Sequence, residues 1–418
     1  MMSGSPMTAR DRVVASVEHR EPDHVAVDLG ATPSSGISAV AHANLVRHLD
    51  VADQRTLVYD VVQQLAQPSD ELLDRLGIDA VDIGRTFNER AEDWHPMQLP
   101  SGIEVLVPSW FHPVHQPDGS WEAFDAAGDR IAAMPMGANF FDQTYFPYLD
   151  GYPDDLSGLA EVMPKVLWSG LVHSPWDHAG EADFWTQLRT RTVALRAGTD
   201  RALMVVVGCN LFEWGTFLRR IDNFLMDLAV DADNVHRLLD ALMEIHLATL
   251  DKVFEAVGDV ADIVRFGDDL GMDRGPLMSP DTYRTFFKPR HAALNAYVHR
   301  HTPMKTFLHS CGSIHRLLPD LIEAGVDIIN PVQISAKDME PWRLKADFGK
   351  DITFWGGGAD TRRVLPGGTP AEVKDHVRRN IDTFAPGGGF IFVPAHNMLP
   401  DIPTENIEAM FDAVDEYR

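Results

Sequence analysis

The chain has 418 residues, 45% hydrophobic and 23% charged, enough to bury a large core in one α/β barrel or in two to three smaller domains. Its 36 basic and 62 acidic residues give a formal charge of −26, a field that disfavours nucleic acid and anionic membrane, with no basic run to offset it. Two cysteines cannot build a disulfide framework and no apolar run reaches membrane-spanning length, so a cytoplasmic protein is expected.

The opening MMSGSPMTARDRVV lacks the apolar core and cleavage site of a signal peptide. Helix-spaced ARDRVVASVEHR runs through the turn EPD into HVAVDLG (24–30), the first candidate strand. The helix PSDELLDRLG then precedes GIDAVDIG (77–84), the second. Over residues 101–138, Pro-Asp-Gly and Gly-Asp turns separate short alternating runs, which predicts a small antiparallel β insertion. The aromatic stretch NFFDQTYFPYLDGYP (139–153), with Tyr145, is expected to cover part of a mouth.

From residue 202 the rhythm is regular. ALMVVVG (202–208), DIVRFGDD (262–269), MKTFLHSCG (304–312), VDIINPVQ (326–333), ITFWGGG (352–358) and GFIFVPAHN (389–397) read as buried strands. Segments with helical spacing, such as DNVHRLLDALMEIHLATLDKVFEAVG, lie between them. Eight strands alternating with helices predict an α/β fold, a (β/α)8 TIM barrel. With no internal repeat or Ser/Gly linker, residues 1–418 read as one domain.

Chemistry in such barrels gathers at the carboxyl ends of the strands. Those ends carry Asp28, Arg85, Cys209, Asn210, Asp268, Asp269, His309, Cys311, Gln333, Trp355, His396 and Asn397. Residues two apart on a strand share a side, so His309 and Cys311 can both aim at the mouth as zinc ligands. His396, at the end of the last strand, is the candidate third ligand. The alternative is a small apolar Cys311 beside a hydrogen-bonded His309.

Asp268 reads equally as a catalytic or metal-supporting carboxylate and as the cap of the next helix; for Asp269 capping is the simpler role. Glu213 either reaches the mouth as a catalytic group or complements a helix dipole. Arg85 either fixes a substrate carboxylate or pairs with Asp82. Cys209 is a rival ligand or a buried thiol. Asp28, Asn210, Trp355, Asn397 and Tyr145 are expected to line the substrate space. The glycine runs match neither a P-loop nor a dinucleotide fingerprint, and no G-x-S-x-G elbow is present.

Long ordered stretches resemble the uroporphyrinogen decarboxylase superfamily. They include MTARDRVVASVEHREPDHVAVDLG, SPDTYRTFFKPRH, FLHSCGSIHRLLPDLIEAGVDIINPVQ, FWGGGADTRRVLPGGTPAEV and APGGGFIFVPAHNMLPDIPTENI. The resemblance implies a (β/α)8 barrel. Decarboxylases proper carry an arginine-rich segment after the first strand, where this chain reads LGATPSSGISAV. The other arm comprises zinc methyltransferases that pass a methyl group from a corrinoid protein to a thiol. There a His-x-Cys pair and a cysteine near the chain end hold zinc. His309 and Cys311 match the pair, His396 stands near the final cysteine, and Gln333 lies where relatives have a carboxylate.

The resemblance thus implies one Zn2+ per chain, a methyl-corrinoid supplied by a partner corrinoid protein, and assembly as a homodimer. Exchanging a thiolate for a second imidazole raises the formal charge of the site from neutral to +1. A bound thiolate becomes a poorer nucleophile and the metal a stronger Lewis acid. Three readings stand: a zinc-dependent methyltransferase in corrinoid-linked methyl transfer or demethylation, a decarboxylase or lyase of a small carboxylated compound, and a non-catalytic binding barrel.

Overall fold

The computed structural model describes residues 6–125 and 127–418. All eight expected strands form one parallel sheet: β1 (Ala26–Val27), β2 (Ala80–Asp82), β3 (Ala202–Gly208), β4 (Ile263–Gly267), β5 (Lys305–His309), β6 (Ile328–Asn330), β7 (Thr353–Trp355) and β8 (Phe390–Phe392). Neighbours in sequence are neighbours in the sheet from β2 round to β8, and β8 pairs with β1. Asp79 joins the remaining edge: its N–H donates to Val27 O at 2.8 Å and its carboxylate accepts from Val27 N at 2.9 Å. The fold is a (β/α)8 barrel.

Side-chain alternation sorts each strand into two layers. Ala26, Ala80, Ala202, Met204, Ile263, Phe307, Ile328, Trp355 and Ile391 fill the barrel. Val27, Val81, Leu203, Val264, Phe266, Leu308, Ile329 and Phe354 point outward into a second apolar layer under the helices. On that register Asp28, Asp82, Arg265 and His309 each stand two residues beyond an inward apolar residue. A polar storey therefore sits on the apolar plug, toward the mouth.

Some helices begin where side chains satisfy their free N–H groups. Thr8 and Asp11 form a reciprocal box at helix α1 (Ala9–Val17), as Thr369 and Glu372 do at Pro370–Phe384. The 26-residue helix Ala232–Val257 buries Val235, Leu238, Leu239, Leu242, His246, Leu250 and Val253, a stripe of helical period.

Between β2 and β3 the chain leaves the barrel. Trp94–Gln98 pairs antiparallel with Glu104–Pro108, and Val114–His115, Trp121–Phe124, Arg130–Met134 and Asp142–Gln143 form a four-stranded sheet. This excursion extends past the expected 101–138 on both sides and shares a separate core around Val105, Phe111, Ile131 and Phe141. Among the described residues, no helix is long and apolar enough to cross a membrane.

Candidate metal centre

The ligating atoms of His309, Cys311 and His396 all lie within 4.8 Å of one another at the barrel mouth. His309 ends β5 pointing inward, and its Nε2 is 3.3 Å from Cys311 Sγ. The imidazoles of His309 and His396 meet edge to face with centroids 5.8 Å apart. Tetrahedral zinc, with bonds of about 2.0–2.3 Å, needs its ligand atoms roughly 3.3–3.8 Å apart. The Cys-His pair meets that spacing and His396 lies within 4.8 Å of both, so one thiol and two imidazoles suit a zinc ion.

The outer partners orient the ligands. Asn330 Nδ2 donates to Trp355 O at 2.9 Å, and Ser34 Oγ donates to Asn330 Oδ1 at 2.7 Å. Asn330 Oδ1 is thereby an acceptor, so His309 Nδ1–H donates to it at 2.7 Å and leaves the Nε2 lone pair facing Cys311. Burial pushes His309 down to about 4 and lowers His396 too, which keeps both rings neutral. Burial, then Asp269 and Glu213, pushes the Cys311 thiol up, so metal binding must release its proton.

Glycine after Cys311 is a packing requirement. Gly312 has φ +87°, and a Cβ there would lie 2.5 Å from Gly271 C and 2.6 Å from Met272 N. Two backbones cross at this point, and Gln333 Oε1 accepts from Gly312 N at 3.1 Å. Gln333 thus holds the loop.

The two adjacent aspartates part company in the structure. Asp268 is fully buried and accepts from Leu211 N at 3.0 Å, Glu213 N at 3.0 Å and His291 Nε2 at 2.9 Å. It caps the start of the helix Phe212–Arg219, the second of the two roles its position offered. Asp269 instead reaches the cluster: its Oδ1 accepts from Cys311 N at 2.8 Å and lies 3.5 Å from His309 Nε2.

Glu213, in the first turn of that helix, accepts from Asn210 Nδ2 at 2.5 Å. Burial, reinforced by Asp269 and Asp268, raises it to about 8, so it is protonated at neutral pH. Cys209 is buried in the outer layer and its thiol is pushed up by burial, away from the ligand set.

Arg85 is not at the mouth. Its guanidinium pairs with Asp70 at 2.8 Å in a cleft of about 560 Å³ on the outer wall, beside Val81. It pairs with neither a mouth residue nor Asp82, because the chain turns outward after β2. Three expected substrate contacts, Trp355, Asp28 and Asn397, are hydrogen-bonded within the fold. Trp355, fully buried in the plug, donates from Nε1 to Asp28 Oδ2 at 2.7 Å. Asn397 accepts from Gly36 N at 2.9 Å and donates to Gln63 Oε1 at 3.1 Å, tying the last strand to the first loop. Tyr145 is exposed on the segment held by Gln143, which donates to Tyr145 O and Phe217 O.

One mouth residue was missed. Arg265 lies in the middle of β4 on its inward face, between Val264 and Phe266. A lone charge inside an otherwise apolar buried strand was the available signal.

The uroporphyrinogen decarboxylase (URO-D) family profile matches residues 209–417, half of the chain, including all three candidate ligands. Methylcobamide:CoM methyltransferase MtaA of Methanosarcina barkeri is 29% identical over 188 residues, 44% of this chain and 50% of that protein. Methylated-thiol--coenzyme M methyltransferase of Methanosarcina mazei is 26% identical over 196 residues, 47% and 48% of the two chains. The chain thus spans about half the length of these curated relatives. A solved methyltransferase from Methanosarcina mazei superposes with TM-score 0.58 at 17% identity, covering 98% of this chain and 99% of that one, which speaks for the fold.

Proposed function

This chain belongs to the uroporphyrinogen decarboxylase family, and we propose that it is a zinc-dependent methyltransferase accepting a methyl group from a corrinoid protein. The observation that carries the reading is the convergence of His309, Cys311 and His396 within 4.8 Å, with His309 fixed by Asn330. Zinc bound there would supply a Lewis acid that lowers the pKa of a coordinated thiol or water.

The chain's own groups do the rest. Asn330 keeps the proton of His309 on Nδ1 and so keeps Nε2 free. Asp269 holds the Cys311 backbone in place and is the carboxylate positioned to take the proton lost from a thiol at the mouth. Glu213, with Oε2 occupied by Asn210, presents a protonated Oε1. The decarboxylase reading loses its expected carboxylate anchor, since Arg85 is on the outer wall.

The test is elemental analysis joined to an assay of thiol-dependent demethylation of free methylcobalamin. About one zinc per chain, with demethylation abolished by chelation and restored by zinc, is expected. Zinc far below one per chain, with no gain on adding it, would overturn the reading.

A further inference from the structure

The loop that carries Cys311 is held from the rim of the barrel by a strap. After β4 the chain makes a short antiparallel ribbon, Gly271–Met272 against Gly275–Pro276, with Asp273 and Arg274 at its turn. The ribbon lies along the Cys311 loop: Leu270 N donates to Ser310 Oγ at 3.1 Å, and Ser313 N donates to Met272 O at 2.7 Å. A Cβ on Gly271 would collide with Cys311 O, so glycine is what lets the two backbones come this close.

The tip of the ribbon is pinned to two further loops. Asp273 Oδ1 accepts from Gln333 Nε2 at 3.1 Å, beyond β6, and from Arg362 Nη1 at 2.5 Å, beyond β7. The Asp273 carbonyl accepts from Lys337 N at 2.9 Å. Gln333 gives the other end of its amide to Gly312 N. A hydrogen-bonded line thus runs Arg362–Asp273–Gln333–Gly312, from the β7 loop to the residue beside the sulfur.

The residue type at 333 follows from that line. The side chain must accept from a backbone N–H at one end and donate to a carboxylate at the other, and an amide does both. A glutamate of the same shape would still accept from Gly312, but its second oxygen would face the Asp273 carboxylate.

We propose that Asp273 is a positioning residue for the metal centre. Through Gln333 it clamps the Cys311 loop, with Arg362 fixing the Asp273 carboxylate, and so slows the escape of the ion held by His309, Cys311 and His396. His309 is still within β5 and is oriented by Asn330, whereas Cys311 lies past the end of the strand. The sulfur is the ligand that most needs support from outside. The inference rests on the zinc reading for what the loop carries, but the clamp itself is made of protein atoms alone.

The test joins two measurements. Hydrogen exchange of the metal-free protein is read by mass spectrometry on the peptide spanning 307–317, and zinc release from the loaded protein is timed with an excess of chromogenic chelator. Asp273→Ala, at a side chain 60% exposed, and Gln333→Met should each speed exchange in that peptide about tenfold, with the helix Ala232–Val257 unchanged. Both should speed zinc release about tenfold or more. Gln333→Glu should speed exchange likewise. Adding Asp273→Asn, which sets a donor opposite the new carboxylate, should bring exchange back to within about threefold of the parent.

Exchange at the parent rate in Asp273→Ala and Gln333→Met, or a double variant no better protected than Gln333→Glu, would overturn the proposal. Faster exchange in a protein that takes up no zinc would sink the zinc reading and leave the clamp on the loop standing. One zinc per chain, released no faster by either variant, would do the reverse.

Discussion

Two clusters of charged groups, one on the outer wall and one in the mouth, differ in how completely they are satisfied. In the outer cleft Arg85 pairs with Asp70, Arg201 with Asp74, and Arg191 donates to Thr86 O. Each guanidinium there has an anion or carbonyl, so the cleft holds itself together. In the mouth, among the described residues, Arg265 Nε is buried without a hydrogen-bond partner and forms no ion pair, and Cys311 Sγ lies 3.3 Å from His309 Nε2. The informative quantity is unmet bonding capacity, since folding tolerates it only where something else supplies the missing partner.

The sharpest way to break that contrast is to remove a ligand. Cys311→Ala or His309→Ala should abolish zinc binding and cut demethylation by on the order of 10³-fold, with the circular dichroism unchanged. Asn330→Ala should weaken zinc by about 10–100-fold, read by competition with a chromogenic chelator, because His309 loses its orienting acceptor. If Asn330→Ala binds zinc as tightly as the parent, that orienting role is wrong.

The two aspartates divide stability from chemistry. Asp268→Asn should cost about 2–3 kcal/mol in denaturant unfolding, since its carboxylate serves two backbone N–H groups and His291. Asp269→Asn should leave the unfolding midpoint in place and lower turnover. The reverse pattern would move the mouth to the other aspartate.

Asp28 supplies a pH test of the polar storey. Burial raises it from 3.8 to about 6, so the native state binds its proton more tightly than the unfolded chain does. Its contribution is fully present below about pH 4 and lost as pH rises through 6. Asp28→Asn should remove on the order of 2 kcal/mol of that decline between pH 4.5 and 7.5. An unchanged slope would mean that the group titrates normally. Smallest of all, Arg85→Ala should leave turnover within about twofold and cost about 1 kcal/mol, because its partner Asp70 faces solvent.

The barrel was legible because each strand is a compact apolar run at βα spacing, and His-x-Cys was legible because alternation puts both residues on one side. The aspartates were not. Adjacent residues just past a strand point to opposite sides, and which one meets the helix start depends on where β4 ends relative to Leu211, a three-dimensional matter. Trp355 and Asp28 looked like mouth residues from their place at strand ends. β7 is so short that its last residue is still in the plug, and Asp28 is drawn to the indole N–H. Arg265 was legible in principle, as the one charge in the otherwise apolar strand IVRFG.

The central claim is that one sulfur and two imidazole nitrogens hold a single zinc. X-ray absorption at the zinc edge on the loaded protein tests it most directly. One sulfur at about 2.3 Å and nitrogen or oxygen neighbours at about 2.0–2.1 Å are expected, with the sulfur shell lost in Cys311→Ala. A spectrum without sulfur, or one that Cys311→Ala leaves unchanged, would contradict it.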